Sequence, residues 1–153
     1  MHLTGRTLAV GVGNTLRSDE AAEVATIGLA RARDACEVII AEDVPENYLG
    51  PMEEARAQTV IFCDAVDMQA EPGTTAILDL DEMQGPSVST HNASLELVGK
   101  CLRESGVERI LVAAIQPERL DWGAEMSEAV RSATVELADE LCAILNPGVV
   151  PEQ

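Results

Sequence analysis

Aromatic residues are almost missing from this 153-residue chain: it has one Trp, one Tyr and one Phe. A core must therefore be assembled from Ala, Val, Leu and Ile, and a hydrophobic fraction of 46% supplies enough of them. Basic residues are scarce as well, ten against 27 acidic ones, and Lys100 is the only lysine. A net charge of −17 repels the phosphate backbone of nucleic acids and anionic membrane surfaces. A cation, or a basic segment of a partner protein, fits that field better. No apolar run approaches the ~20 residues needed to span a bilayer, and the chain enters the apolar run Leu8–Val12 without a charged leader. The four cysteines, at 36, 63, 101 and 142, form no C-x-x-C pair. A disulfide scaffold and a zinc ribbon are thereby disfavoured, and buried free thiols in a cytoplasmic protein are expected.

What is present is an alternation of two periodicities. Five short runs rich in Val and Ile read as strands: Thr7–Gly13, Cys36–Glu42, Thr59–Val66, Thr74–Leu80 and Arg109–Ile115. Most are apolar throughout, as strands covered on both faces are. Between them lie helical stripes: Glu20, Val24, Ile27 and Arg31; His91, Leu95, Val98 and Leu102; and Val130, Thr134, Leu137, Leu141 and Ile144. Asp19 and Glu20 fill an acidic first turn, as the helix dipole favours. Thr90 and Asn92 are candidate caps for the second stripe, and Pro147-Gly148 stops the last. A helix over Glu46–Ala57 is interrupted by Gly50-Pro51. The pattern predicts a single α/β domain over residues 1–148: a three-layer, doubly wound, mainly parallel sheet of five strands, followed by a frayed tail at 149–153. The Val66–Thr74 connection is too short for a crossover, so the fourth strand is expected to be antiparallel.

Ligands of open α/β sheets bind beyond the carboxyl ends of the strands. Three polar features fall there. The Gly11-Val12-Gly13-Asn14 turn leads to Glu20, Asp64 ends the third strand, and His91 opens a helix. Singly, each has an ordinary reading as a dipole partner, a loop cap or a cap neighbour. Together they place two carboxylates and one imidazole at one edge, a donor set suited to Ni²⁺ or Zn²⁺. Glu20 and His91 share stripes with core residues and are expected to lean inward. A helix N-terminus also disfavours imidazolium, leaving the neutral ring that a metal needs. Asp64 and His91 are expected in an exposed crevice. Dinucleotide binding is disfavoured, because Leu16 replaces the third glycine of G-x-G-x-x-G and acid would face a pyrophosphate. Neither H-E-x-x-H nor G-x-S-x-G occurs.

Val10-Gly11-Val12-Gly13-Asn14-Thr15-Leu16 followed by Ser18-Asp19-Glu20 resembles the opening motif of the nickel-iron hydrogenase maturation endopeptidases. The resemblance continues in order through Pro45-Glu46-Asn47, Asp64-Ala65-Val66-Asp67, Pro72-Gly73-Thr74, Thr90-His91-Asn92 and Ile115-Gln116-Pro117, and is closest to the hydrogenase 3-type branch. It implies an endopeptidase that removes the C-terminal extension of a hydrogenase large-subunit precursor after nickel insertion. It further implies Glu20, Asp64 and His91 as catalytic and nickel-contacting residues. The nickel would arrive with the precursor, another divalent metal could occupy the isolated protein, and the enzyme would act as a cytoplasmic monomer. The alternative is a non-catalytic relative that binds the precursor as a metal-dependent checkpoint. Three departures bear on that choice: Ser18 and Glu23 stand where the family commonly has glycine, and Ala41-Glu42-Asp43 replaces its Asp-Gly-Gly turn.

Overall fold

The computed structural model describes residues 5–14, 16, 18–32, 34, 36–83, 91–118 and 125–145. Its strands are β1 (Thr7–Val12), β2 (Glu37–Glu42), β3 (Thr59–Ala65), β4 (Thr75–Asp79) and β5 (Arg109–Ile115). They form one sheet in the order β2-β1-β3-β5-β4. The neighbours β2, β1, β3 and β5 pair in parallel, and β4 runs antiparallel to β5, as the short connection before it requires. The helices are α1 (Ala21–Ala32), α2 (Leu49–Glu54), α3 (Asn92–Glu104) and α4 (Glu128–Leu145). Each expected strand is present, and boundaries differ by at most one residue.

The alternation of side chains sorts the core into two layers. Leu8 and Val10 of β1, Val60 and Phe62 of β3, and Val112 of β5 face one side, where they meet Met52 of α2 and Leu95, Val98 and Leu102 of α3. Ala9, Ile61, Cys63, Leu111 and Ala113 face the other, against Ile27 of α1 and Val130, Leu137 and Leu141 of α4. Phe62 is fully buried at the centre of β3. With so few aromatics, close packing of small aliphatic side chains supplies most of the burial.

Three local expectations are corrected. Gly50-Pro51 does not interrupt a helix: a 3-10 turn over Pro45–Tyr48 runs straight into α2, with Pro51 in its first turn. A proline is accommodated there because its missing N–H has no intrahelical acceptor to lose. His91 itself is the N-cap residue of α3 and makes no side-chain cap bond, while Asn92 is the first helical residue. Cys63 and Cys142 are buried free thiols, but Cys36 and Cys101 are partly exposed. Cys36 immediately precedes β2, an edge strand covered less completely than the central three. Thr90, Pro147-Gly148 and the tail at 149–153 lie outside the described residues.

Candidate functional site

The strand order reverses between β1 and β3, and the carboxyl ends of these strands frame the crevice that such sheets use for ligands. Asp64 is the penultimate residue of β3. By alternation it shares the face of Val60 and Phe62, which is the face that α3 covers. Helix α3 leads into parallel strand β5, so its first turn lies at the same edge as the end of β3. The meeting of Asp64 with the N-cap residue His91 follows from those two facts. His91 Nδ1 lies 3.1 Å from Asp64 Oδ1. The two side chains are 6% and 0% exposed, so the expected open crevice is instead a buried pair.

The opposite edge of the imidazole meets the turn after β2, a contact that no sequence pattern predicted. His91 Nε2 lies 3.4 Å from Oδ1 of Asp43, just beyond β2. Asp43 Oδ2 accepts a hydrogen bond of 2.8 Å from Asn14 Nδ2. The cause is a one-residue bulge: Gly11 pairs with Ile40 but Val12 with Glu42, leaving Ala41 as an extra residue in β2. Glu42 takes a left-handed conformation, φ 54°, and its carbonyl accepts from Gly13 N–H at 2.9 Å. Bulges kink a strand and re-aim the residues after it, here towards His91. Periodicity cannot show this, because a bulge breaks the period.

Glu20 ends a 3-10 turn over Ser18–Glu20 that leads directly into α1 and packs beside β3. Its backbone is therefore at the same edge of the sheet, while its side chain lies outside the described atoms. Asp19, read from sequence as a dipole partner, is completely buried and has another task. Its carboxylate accepts from Glu118 N–H at 2.8 Å, from Ser127 N–H at 2.8 Å and from Ser127 Oγ–H at 3.0 Å. It ties the segment beside Glu20 to the exit of β5 and to the start of α4. Gln116 works similarly at the β3–β4 connection. Its Oε1 accepts from Met68 N–H at 2.6 Å and Ala70 N–H at 3.3 Å, and its Nε2 donates to Asp67 Oδ1 at 3.2 Å. Asp19 and Gln116, both in stretches that carry the resemblance, thus build the turns around the site.

A cavity of about 370 Å³ opens beside Asp43, lined by Asn14, Leu16, Glu42, Val44, Asn47 and Tyr48 among others. Leu16 and Val44 present exposed apolar surface at its rim, flanked by the Glu42 and Asp43 carboxylates. Among the described residues no three His, Cys, Asp or Glu side chains close on one point as a metal site. The donors that are present suit a divalent ion in type, and the 3.1 Å between His91 Nδ1 and Asp64 Oδ1 is close to the ~3 Å that separates adjacent ligand atoms bound at ~2.1 Å.

The family model described as hydrogenase maturation protease matches residues 29–144, a span that contains Asp64 and His91 and begins after Glu20. The chain belongs to the hydrogenase maturation protease family. This protease is 27% identical over 125 residues to the hydrogenase 3 maturation protease of Escherichia coli K12, covering 80% of each chain. It superposes on the crystal structure of the nickel-iron hydrogenase maturation protease HycI from Thermococcus kodakarensis with a TM-score of 0.77, at 28% identity and over 92% of each chain. The maturating endopeptidase HybD of Escherichia coli shares the fold, with a TM-score of 0.78 at 24% identity over 95% of each chain. The protease is accordingly a peptide-bond hydrolase of hydrogenase maturation. No helix among its described residues is long and apolar enough to cross a membrane.

Proposed function

We propose that the protease removes the C-terminal extension of a nickel-iron hydrogenase large-subunit precursor once nickel has been inserted, with Glu20, Asp64 and His91 as the residues that meet the metal and the scissile peptide. The observation that carries this reading is the buried Asp64–His91 pair at the carboxyl edge of β3, beside a cavity with apolar lips and an acidic wall. An extended peptide can lie across Leu16 and Val44 while its reacting end reaches His91. The nickel belongs to the substrate; engaged at this edge, it would polarise the scissile carbonyl or an attacking water. The chain's own residues perform the rest. Asp64 Oδ1, 3.1 Å from Nδ1, fixes the imidazole rotamer, and burial of the pair keeps that orientation rigid. A carboxylate at the site, Glu20 or Asp64, accepts the proton that water releases as it attacks the scissile carbonyl and returns it to the nitrogen that leaves as the C–N bond breaks.

Incubation of the protease with a nickel-loaded precursor, followed by mass measurement of the product, tests this. A discrete loss from the precursor's C-terminus is expected, and no loss from a nickel-free precursor. The checkpoint alternative draws on one feature, the strained Ala41-Glu42-Asp43 turn beside the site. Stable nickel-dependent binding of the precursor without a mass change would select it and overturn proteolysis.

A further inference from the structure

The cavity beside the site stops one residue short of His91. Asp43 lines it, and His91 is not among its lining residues. Behind that wall the ring is 6% exposed, with Asp64 3.1 Å from Nδ1 and Asp43 3.4 Å from Nε2. The two contacts are unequal. Asp64 is fully buried and has no solvent to turn to. Asp43 is 40% exposed at its side chain and makes the longer contact. Neutral and protonated rings are alike in one respect: Asp43 Oδ1 stands where anything approaching Nε2 from the cavity must go.

Asp43 is latched from its other side. Its Oδ2 accepts from Asn14 Nδ2 at 2.8 Å, and Asn14 Oδ1 accepts from Leu16 N–H at 2.8 Å, which orients the amide. The backbone beneath is pinned, because the Glu42 carbonyl accepts from Gly13 N–H at 2.9 Å. Rotation of the Asp43 side chain therefore uncovers the ring without moving the turn, and the cavity of about 370 Å³ has room for the carboxylate. A half-exposed carboxylate exchanges its partners for water at small cost. We propose that Asp43 is a self-inhibitory gate: held by Asn14, it covers Nε2 of His91 in the free protease and swings aside when the precursor docks. Such a gate lowers apparent affinity in proportion to the fraction of molecules that stand open. It rests on the proposed function in one respect, that the precursor must reach His91.

The test has two readouts, both on the full chain carrying His2→Ala, which leaves His91 the only histidine. The first is the rate at which diethyl pyrocarbonate acylates His91, located by mass. Rates are compared at a pH above which they no longer rise, so that protonation of the ring drops out. Asp43→Ala should raise the rate roughly two- to five-fold, the factor that a weakly held surface contact corresponds to, and Asn14→Ala by less. Glu42→Gln, which removes a charge from the same cavity wall, should leave it unchanged. The second readout is stopped-flow association of nickel-loaded precursor, recorded before cleavage. Asp43→Ala should associate faster by a similar factor, and Glu42→Gln no faster than the parent. An unchanged acylation rate in folded Asp43→Ala, or in folded Asn14→Ala should the first variant fail to fold, would overturn the gate. Faster acylation with unchanged or slower association would also overturn it, since Asp43 would then be a fixed part of the site. A parent that neither binds nor cleaves precursor refutes the proposed function, and the acylation rates then decide the gate alone.

Discussion

Replacing Asp19 by alanine should be the most damaging single change to a polar residue beside the site. The carboxylate is fully buried and accepts hydrogen bonds from Glu118 N–H, Ser127 N–H and Ser127 Oγ–H. Hydrogen bonds to a charged group contribute about 1.5–3 kcal/mol each, less when they share an acceptor. Glu118 is exposed, so its freed N–H can turn to water. Ser127 is 1% exposed, and its two donors would be stranded, at about 1–3 kcal/mol for each unmet group. The expected loss is ~3–5 kcal/mol, a large part of the 5–15 kcal/mol that holds a typical domain. At ~2–4 °C per kcal/mol for a domain of this length, Tm should fall by roughly 6–20 °C. Asp19→Asn keeps an acceptor and should lose about half as much. Urea unfolding followed by far-ultraviolet circular dichroism measures both variants. An Asp19→Ala protein within ~1 kcal/mol of the parent would refute the latch, since water would then be replacing a carboxylate that the fold excludes from water. Because Asp19 adjoins Glu20, the same variant should lose precursor cleavage even under conditions where it remains folded.

Other consequences follow from the same geometry. His91→Ala should cost ~1–3 kcal/mol, since the imidazole is buried and Asp64 loses a donor. Asp64→Asn keeps the volume and should cost less; both should remain folded by circular dichroism yet fail to cleave nickel-loaded precursor, and native cleavage by His91→Ala would sink the proposed mechanism. Glu42→Gly should raise the urea midpoint by an amount equivalent to ~0.5–1 kcal/mol, because φ 54° costs a β-carbon residue about 1–2 kcal/mol and glycine's greater loss of chain entropy takes back about half of that; a lowered midpoint would show that the bulge is held by the side chain. Cys36 has its thiol pushed up to about 11, chiefly by burial and then by nearby Cys142. At pH 8 its alkylation should be about 100-fold slower than that of an exposed thiol. The neutral thiol is favoured by the fold, so its stabilising contribution is complete below pH 9 and is lost as pH rises through about 11. Rapid labelling of Cys36 at pH 8 under native conditions would contradict this.

Sequence by itself determined the strands, the direction of β4 and the apolar stripes of α3 and α4, because each depends on a local period or on the length of a connection. Buried Leu95, Val98 and Leu102 lie where a 3.6-residue repeat places them. The convergence of Asp64 and His91 was legible too, once parallel strands were inferred, since the fold sends strand ends and helix starts to one edge. Only the tertiary structure decided that this pair is buried, because exposure depends on what covers a position and not on the position's own period. The same holds for Asp19, whose partners are 99 and 108 residues away in the chain. The contact of Asp43 with His91 was the least accessible to sequence reasoning. Asp43 reaches His91 through a bulge that opposes one residue of β1 with two of β2, and a break in register has no periodic signature. It is visible only where both strands are seen together.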